Sequence, residues 1–162
     1  MSTPLLGSAL PRRLASGLMA ALFSVTLALN PVSAPTANAA VSARVGASVV
    51  RVAARQVGVP YRWGGTTRAG FDCSGLTLYS YARVGKRLPR TAQQQYNATI
   101  RISRRAARPG DLVFFYSGNP RNSVYHVGVY AGNWTMYVAP HKGARVQKQR
   151  IWSNRVVFGR VR

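Results

Sequence analysis

The chain changes texture once, at Pro109-Gly110, and no other feature limits its fold as much. Before that point apolar residues recur at helical spacing; after it they run or alternate as strand residues do. Ala47 to Gln56 place Val49, Val50 and Ala53 on one side, continued by Val57, with Arg51 and Arg55 on the other. Gly58 and Pro60 close that helix, and Val59 to Gly70 read as a loop rich in glycine and aromatics. A second, mostly buried helix is expected from Asp72, its N-cap, to about Val84, stopped by Gly85. Thr91 caps a short third helix through Gln95. After the glycine, Asp111–Tyr116 is a continuous apolar run and Tyr125–Ala131 alternates. Trp134–Ala139, Ala144–Ile151 and Arg155–Val161 follow as further strands. Helices first and strands afterwards give an α+β class, with N-terminal helices packed on an antiparallel β-sheet.

The beginning of the chain has a different character. Arg12 and Arg13 precede Leu14–Leu29, which carries no charge, and the small-residue run Ala37-Asn38-Ala39-Ala40 comes after. That order reads as a secretory signal peptide over 1–39, cut after Ala39 or Ala40, with an uncleaved anchor as the other reading. General secretion is favoured over twin-arginine export, because no bulky start follows the arginines. Residues 40–46 read as a linker and 47–162 as one domain, with no stable membrane span once the signal is cut. The part after the signal keeps 21 of the 23 basic residues and both acids, a formal charge of +19. Such a surface attracts polyanions and says nothing about fold. Specific nucleic-acid binding is not expected. The tryptophans Trp63, Trp134 and Trp152 are not grouped with the basic cluster at Arg101, Arg104, Arg105 and Arg108, and no base-reading motif is present.

Chemistry centres on GFDCSGL, residues 70–76, which holds the single cysteine. In the first turn of a helix, Cys73 meets unpaired N–H groups and the positive end of the dipole, which favour its thiolate. The same N–H groups suit an oxyanion formed by attack on a carbonyl. Ser74-Gly75 keep the turn slim. These residues equally suit a small buried side chain at a helix start, and they do not decide between the two. A base would come from His126, which opens the alternating HVGVY and shares a face with Gly128, whose missing side chain would let a helix end approach. His141 sits in the loop Pro140–Gly143 and reads as solvated. One cysteine and two separated histidines do not make a zinc site, so no metal or cofactor is expected.

Four blocks in order, VPYRWGGTTRAGFDCSGL, LPRTAQQQY, RPGDLVFFY and HVGVYAGNWTMYVAP, resemble the NlpC/P60 cysteine peptidases, from about Val50 to Arg162. The resemblance implies a circularly permuted papain-like α+β fold. It implies a thiol protease hydrolysing bacterial peptidoglycan stem peptides, most often between γ-D-glutamate and a diamino acid, and with the signal peptide a secreted one. Cys73 then matches the nucleophile, His126 the base and Tyr61 a tyrosine that binds substrate or helps the oxyanion. Asp72 and Ser74 match residues beside the subsite for the peptide's amino end, although each also serves the helix start. Asp111 matches an aspartate read as structural. A monomer is expected, held at the wall by anionic polymers through the basic surface.

One position departs from the family pattern. Twelve residues after the base, where the family carries a polar side chain to orient the imidazole, stands Val138. A three-residue turn Gly132–Trp134 would pair Gly128 with Val138; a two-residue turn Gly132-Asn133 would pair it with Tyr137 and bring Tyr137 near His126. Tyr137 or a backbone carbonyl would then hold the ring. Two functions follow: a peptidase, or a catalytically weak wall-binding protein on the same fold.

Overall fold

The computed structural model describes residues 37–162. The expected signal peptide lies, but for its last three residues, outside them. The first helix, α1, is Ala37–Ala54. It therefore runs through the stretch expected as a linker. Gly46 explains why: it is a packing contact and not a joint. A Cβ there would stand 2.4 Å from the Pro109 carbonyl oxygen, so the helix lies directly on the turn that begins the strands.

A two-stranded hairpin follows, β1 (Thr66–Thr67) with β2 (Gly70–Phe71), at the end of the segment expected as loop and one residue past it. Then come α2 (Cys73–Ala82) and α3 (Ala92–Asn97). Both begin where their caps require. Asp72 accepts from the Gly75 amide, and Thr91 forms a reciprocal capping box with Gln94. Strand β3 (Ile100–Ile102) was not foreseen, because three residues carry too little pattern. After a 3₁₀ turn at Arg104–Ala106 come β4 (Leu112–Tyr116), β5 (Val124–Gly132), β6 (Thr135–Val138), β7 (Gln147–Arg150) and β8 (Val156–Arg160). The six longer strands form one sheet in the order β3-β8-β4-β5-β6-β7, every pair antiparallel.

The apolar run of β4 is continuous because both of its faces are buried. Leu112 and Phe114 meet Val49 and Ala53 of α1, Tyr81 of α2, Tyr96 of α3, and Val127 and Val129 of β5. Val113 and Phe115 face the other way, among Met136, Val138, Ile151 and Phe158. A third cluster, Phe71, Leu76, Ala139 and Val146 with Tyr61 beside it, seats the start of α2 against the β6–β7 connection.

Both acids hold structure. Asp111 accepts a forked pair of bonds from Arg160, each 2.8 Å, and one from the Arg108 amide at 2.7 Å. It thereby ties the entry of β4 to β8, as a structural residue should.

Candidate active site

Asp72 organises the start of α2. One carboxylate oxygen accepts from the Gly75 amide at 2.7 Å and from Ser74 Oγ at 3.2 Å; the other accepts from the Gly64 amide at 3.0 Å. Arg90 completes the set. Its guanidinium pairs with both carboxylate oxygens and also donates to Ser74 Oγ at 2.9 Å. Gln95, fully buried on α3, donates to the Ser74 and Pro89 carbonyls at 3.0 and 2.9 Å, and so fixes the loop that carries Arg90. Sequence reasoning missed Arg90. The signal was present in the charge balance: a buried carboxylate needs a cation, and Arg90 lies in LPRTAQQQY, one of the four family-like blocks.

Glycines let the aromatic loop close on this turn. A Cβ on Gly75 would lie 1.9 Å from the Gly65 carbonyl oxygen. The slimness of the turn therefore serves packing by Gly65 and not access to sulfur. The Asp72 amide donates to that same carbonyl at 3.0 Å, and the Tyr61 amide donates to Ala144 at 2.9 Å. Tyr61 is thereby set beside Cys73, where burial first, and then the charges of Cys73 and Asp72, push its phenol up.

Cys73 begins α2 and packs at the edge of the helix-side core. Its thiol is pushed up, against the expectation drawn from its place at a helix start. Burial is the largest cause; hydrogen bonds from the Val127 and Ser74 amides oppose it, and Asp72 adds to it. His126 stands on β5 opposite Phe115 and is buried. A register shift between Phe115 and Tyr116 leaves Tyr125 unpaired just before it, as bulges do where a strand must re-aim a side chain. Burial, with a smaller contribution from the charge of His141, lowers the His126 pKa to about 4.

Cys73 and His126 open on one cavity of about 860 Å³, with Tyr61, Trp63, His141 and Trp152 also on its wall. His141 is exposed, as expected, but it faces the same space. On the other side of Cys73 is a smaller cavity of about 350 Å³, lined by Asp72, Ser74 and Arg90. Tyr61, Trp63 and Tyr125 line both. The thiol thus has room on two sides, as a group acting on the middle of a chain requires.

Gly128 does not admit a helix. Helix α2 lies on the Val127–Val129 face, and a Cβ on Gly128 would instead meet Met136 Sδ at 2.7 Å across the strand pair. The strand pairing has the register of the three-residue alternative, reached by a different turn. Val129 faces Tyr137 and Tyr130 faces Met136. Asn133 and Trp134, both at positive φ, form a two-residue turn, and Ala131 is bulged out. Continued by one pair, this puts Val138 opposite Gly128. Tyr137 joins the opposite core and does not orient the ring. Val138 is fully buried, and His126 Nε2 is buried with no hydrogen-bond partner, carbonyl or otherwise, among the described residues. Three aromatic rings surround the imidazole: Trp152 at 5.5 Å, Phe115 at 5.7 Å and Tyr125 at 6.4 Å between centroids, with Trp152 stacked on Phe115 at 4.2 Å. Trp152 gave no sign in the sequence, since it sits in an irregular stretch between two strands.

A partly buried thiol at a helix start, an imidazole on the adjoining strand and helices on one face of an antiparallel sheet define the papain-like α+β class. Known proteins agree. The NlpC/P60 family profile matches residues 58–161. The bifunctional muramidase/DL-endopeptidase CwlT of Bacillus subtilis (strain 168) is 42% identical over 119 residues, 71% of this chain and 36% of that protein. Murein DD-endopeptidase MepH of Escherichia coli (strain K12) is 45% identical over 97 residues, 57% of this chain and 35% of that protein. The solved NlpC/p60 domain of the peptidoglycan hydrolase SagA superposes with a TM-score of 0.65 at 35% identity, covering 72% of this chain and 98% of that one. The chain belongs to the NlpC/P60 family. It spans about a third of the length of CwlT and of MepH.

Proposed function

We propose that the protein is a secreted cysteine endopeptidase that cleaves the stem peptides of bacterial peptidoglycan at the cell wall. The observation that carries this is the pair of cavities meeting at Cys73, with His126 on one wall. Cys73 Sγ attacks the scissile carbonyl while His126 accepts its proton. The oxyanion forms against the backbone N–H groups at the start of α2. His126 then returns the proton to the leaving amine, and water cleaves the thioester. Tyr61 lies beside the reacting carbon. Asp72 and Ser74, held by Arg90, present polar groups to the part of the peptide in the smaller cavity. The preferred bond joins γ-D-glutamate to the diamino acid. Relatives bear the names of both DL- and DD-endopeptidases, so the bond is assigned by the family resemblance and tested directly.

The unpartnered Nε2 of His126 favours a second reading, a wall-binding protein with little turnover. Mass spectrometry of defined muropeptides separates the two. Wild type releases fragments cut at one bond and Cys73→Ala releases none. If Cys73→Ala releases as much as wild type, the thiol mechanism is wrong; if neither releases any, the binding role stands.

A further inference from the structure

The chain's two acidic side chains are both spent inside the fold, on Arg90 and Arg160. Every other lysine and arginine among the described residues therefore lacks a carboxylate partner. Most are spread out, but four fall within eight residues, Arg101 to Arg108, on edge strand β3 and the turn after it. The sequence separates this cluster from the tryptophans; the fold does not. The Arg104 guanidinium lies 3.8 Å over the ring of Trp134, and that of Arg101 lies 3.4 Å over Tyr96. Between them runs a groove of about 510 Å³ that includes Asn154 and Phe158 and shares no lining residue with the two cavities at Cys73.

The two arginines differ in what they have left to give. Arg101 already donates to Thr99 Oγ1 and to the Tyr96 carbonyl, so it is a fixed charge. Arg104 makes no side-chain hydrogen bond to the described residues; it lines the groove and is held there on the indole. A planar guanidinium held on an aromatic face loses little freedom when it takes a phosphate bidentately. The rest of the lining, Ile102, Val156 and Val157, is apolar and partly exposed, and suits the carbon–hydrogen faces of a polyol. A polymer with one charge per repeat, phosphate alternating with an uncharged polyol, matches both surfaces.

We propose that this groove is a second binding site, for a linear phosphodiester-linked polyol, and that it anchors the protein independently of the cleft at Cys73. The test uses the whole protein and fluorescein-labelled poly(glycerol phosphate), followed by anisotropy as salt is raised. Arg101→Gln/Arg104→Gln is expected to weaken binding about ten-fold and to lower the log–log salt slope by about one to two. Arg51→Gln/Arg55→Gln, the same charge change at two exposed positions, one in the last turn of α1 and one just past it, should weaken it less than about three-fold. Trp134→Ala should weaken binding about five-fold with the salt slope unchanged. Arg104→Gln alone, whose side chain makes no hydrogen bond to the described residues, gives the reading if a double variant misfolds. Cleavage of soluble muropeptides should be unchanged in all the arginine variants. Equal losses in the two double variants would reduce the effect to diffuse charge and overturn the site. So would polygalacturonate or single-stranded DNA of equal charge binding as tightly as the polyol phosphate. Because binding is read without turnover, it stands or falls apart from the peptidase proposal.

Discussion

Gly75→Ala sets two physical effects of opposite sign against each other. Helix propensity alone favours alanine by about 1 kcal/mol inside a helix. Sterics oppose it, since the new Cβ would stand 1.9 Å from the Gly65 carbonyl oxygen and 3.0 Å from Asp72 Oδ1. Ordinary contact begins near 3.4 Å, so Gly65 has to retreat by about 1.5 Å. It has nowhere to go alone. Its amide donates to Arg62, its carbonyl accepts from the Asp72 amide, and a Cβ of its own would lie 2.3 Å from the Gly70 oxygen. The loop therefore moves as a unit and carries the Gly64 amide off Asp72. Overpacking of this kind costs about 1–3 kcal/mol, and the lost bond to a buried carboxylate adds about 1–3 more. The expected net loss is about 2–4 kcal/mol, read by urea or thermal unfolding. Displacing the loop that carries Tyr61 by more than 1 Å should lower kcat/KM about 100-fold on soluble muropeptides. Gly128→Ala is the control, because its new Cβ meets the unbranched Met136 side chain at 2.7 Å and backbone only at 3.2 Å, and it should cost about 1–3 kcal/mol without moving the Tyr61 loop. A Gly75→Ala protein as stable as wild type, with activity within two-fold, would refute this account of the turn.

Arg90→Gln should destabilise by about 1–3 kcal/mol and raise KM more than it lowers kcat, with Arg90→Lys recovering little because it lacks the fork; equal behaviour of the two variants in steady-state kinetics would show that only charge matters. Burial lowers His126 from 6.5 to about 4, so its contribution to stability is complete above pH 6.5 and is lost as pH falls toward 4, on the order of 3 kcal/mol in all. Denaturant titrations across that range should show the loss in wild type and not in His126→Phe. On the proposed mechanism the imidazole must be neutral, so the acid limb of kcat/KM should fall near pH 4 and not near 6.5. Val138→His, which offers Nε2 a partner, should raise kcat about ten-fold where the protein stays folded; an unchanged kcat in a folded variant would show that orientation does not limit the rate. Trp152→Ala should slow alkylation of Cys73 and lower kcat several-fold, with Trp152→Phe restoring most of both.

Local chemistry made most of the fold legible. Asp72, Thr91 and Gly85 mark helix ends through bonds and backbone angles that belong to single residues, and they fall where the structure has them. The strands after Pro109-Gly110 were legible because β4 is apolar throughout and β5 alternates. What escaped depends on partners distant in the chain. Gly46 looks like a linker until Pro109 is beside it, and Gly128 looks like a gap for a helix until Met136 fills it. Arg90 and Trp152 reach the site from positions 17 and 79 residues beyond Cys73, with no pattern of their own. The turn at Asn133-Trp134 misled for a different reason. A tryptophan at positive φ is disfavoured, and here Trp134 carries the Arg104 guanidinium and packs near Phe158, contacts that outweigh the local preference.

The same distinction governs His126. A polar residue at position 138 would accept from Nε2–H and hold the proton there, leaving Nδ1 free to take the proton of the thiol. Valine removes that acceptor and leaves Nε2 enclosed. A buried bare nitrogen costs less than a buried N–H without an acceptor, so the neutral ring favours the tautomer protonated on Nδ1. Drawing a proton from Cys73 then needs the less favoured tautomer, and the imidazolium that follows carries an unmet donor. Burial, which already raises the thiol and lowers the imidazole, pushes in the same direction. The first proton transfer is therefore uphill. The second is not: an imidazolium whose pKa is about 4 is a strong donor to a leaving amine. On the proposed mechanism the dyad is slow to form the thiolate and quick to expel the amine. Substrate filling the larger cavity must supply the missing stabilisation, through the oxyanion at the start of α2, while Trp152 and Phe115 keep the ring in place by packing where hydrogen bonding does not.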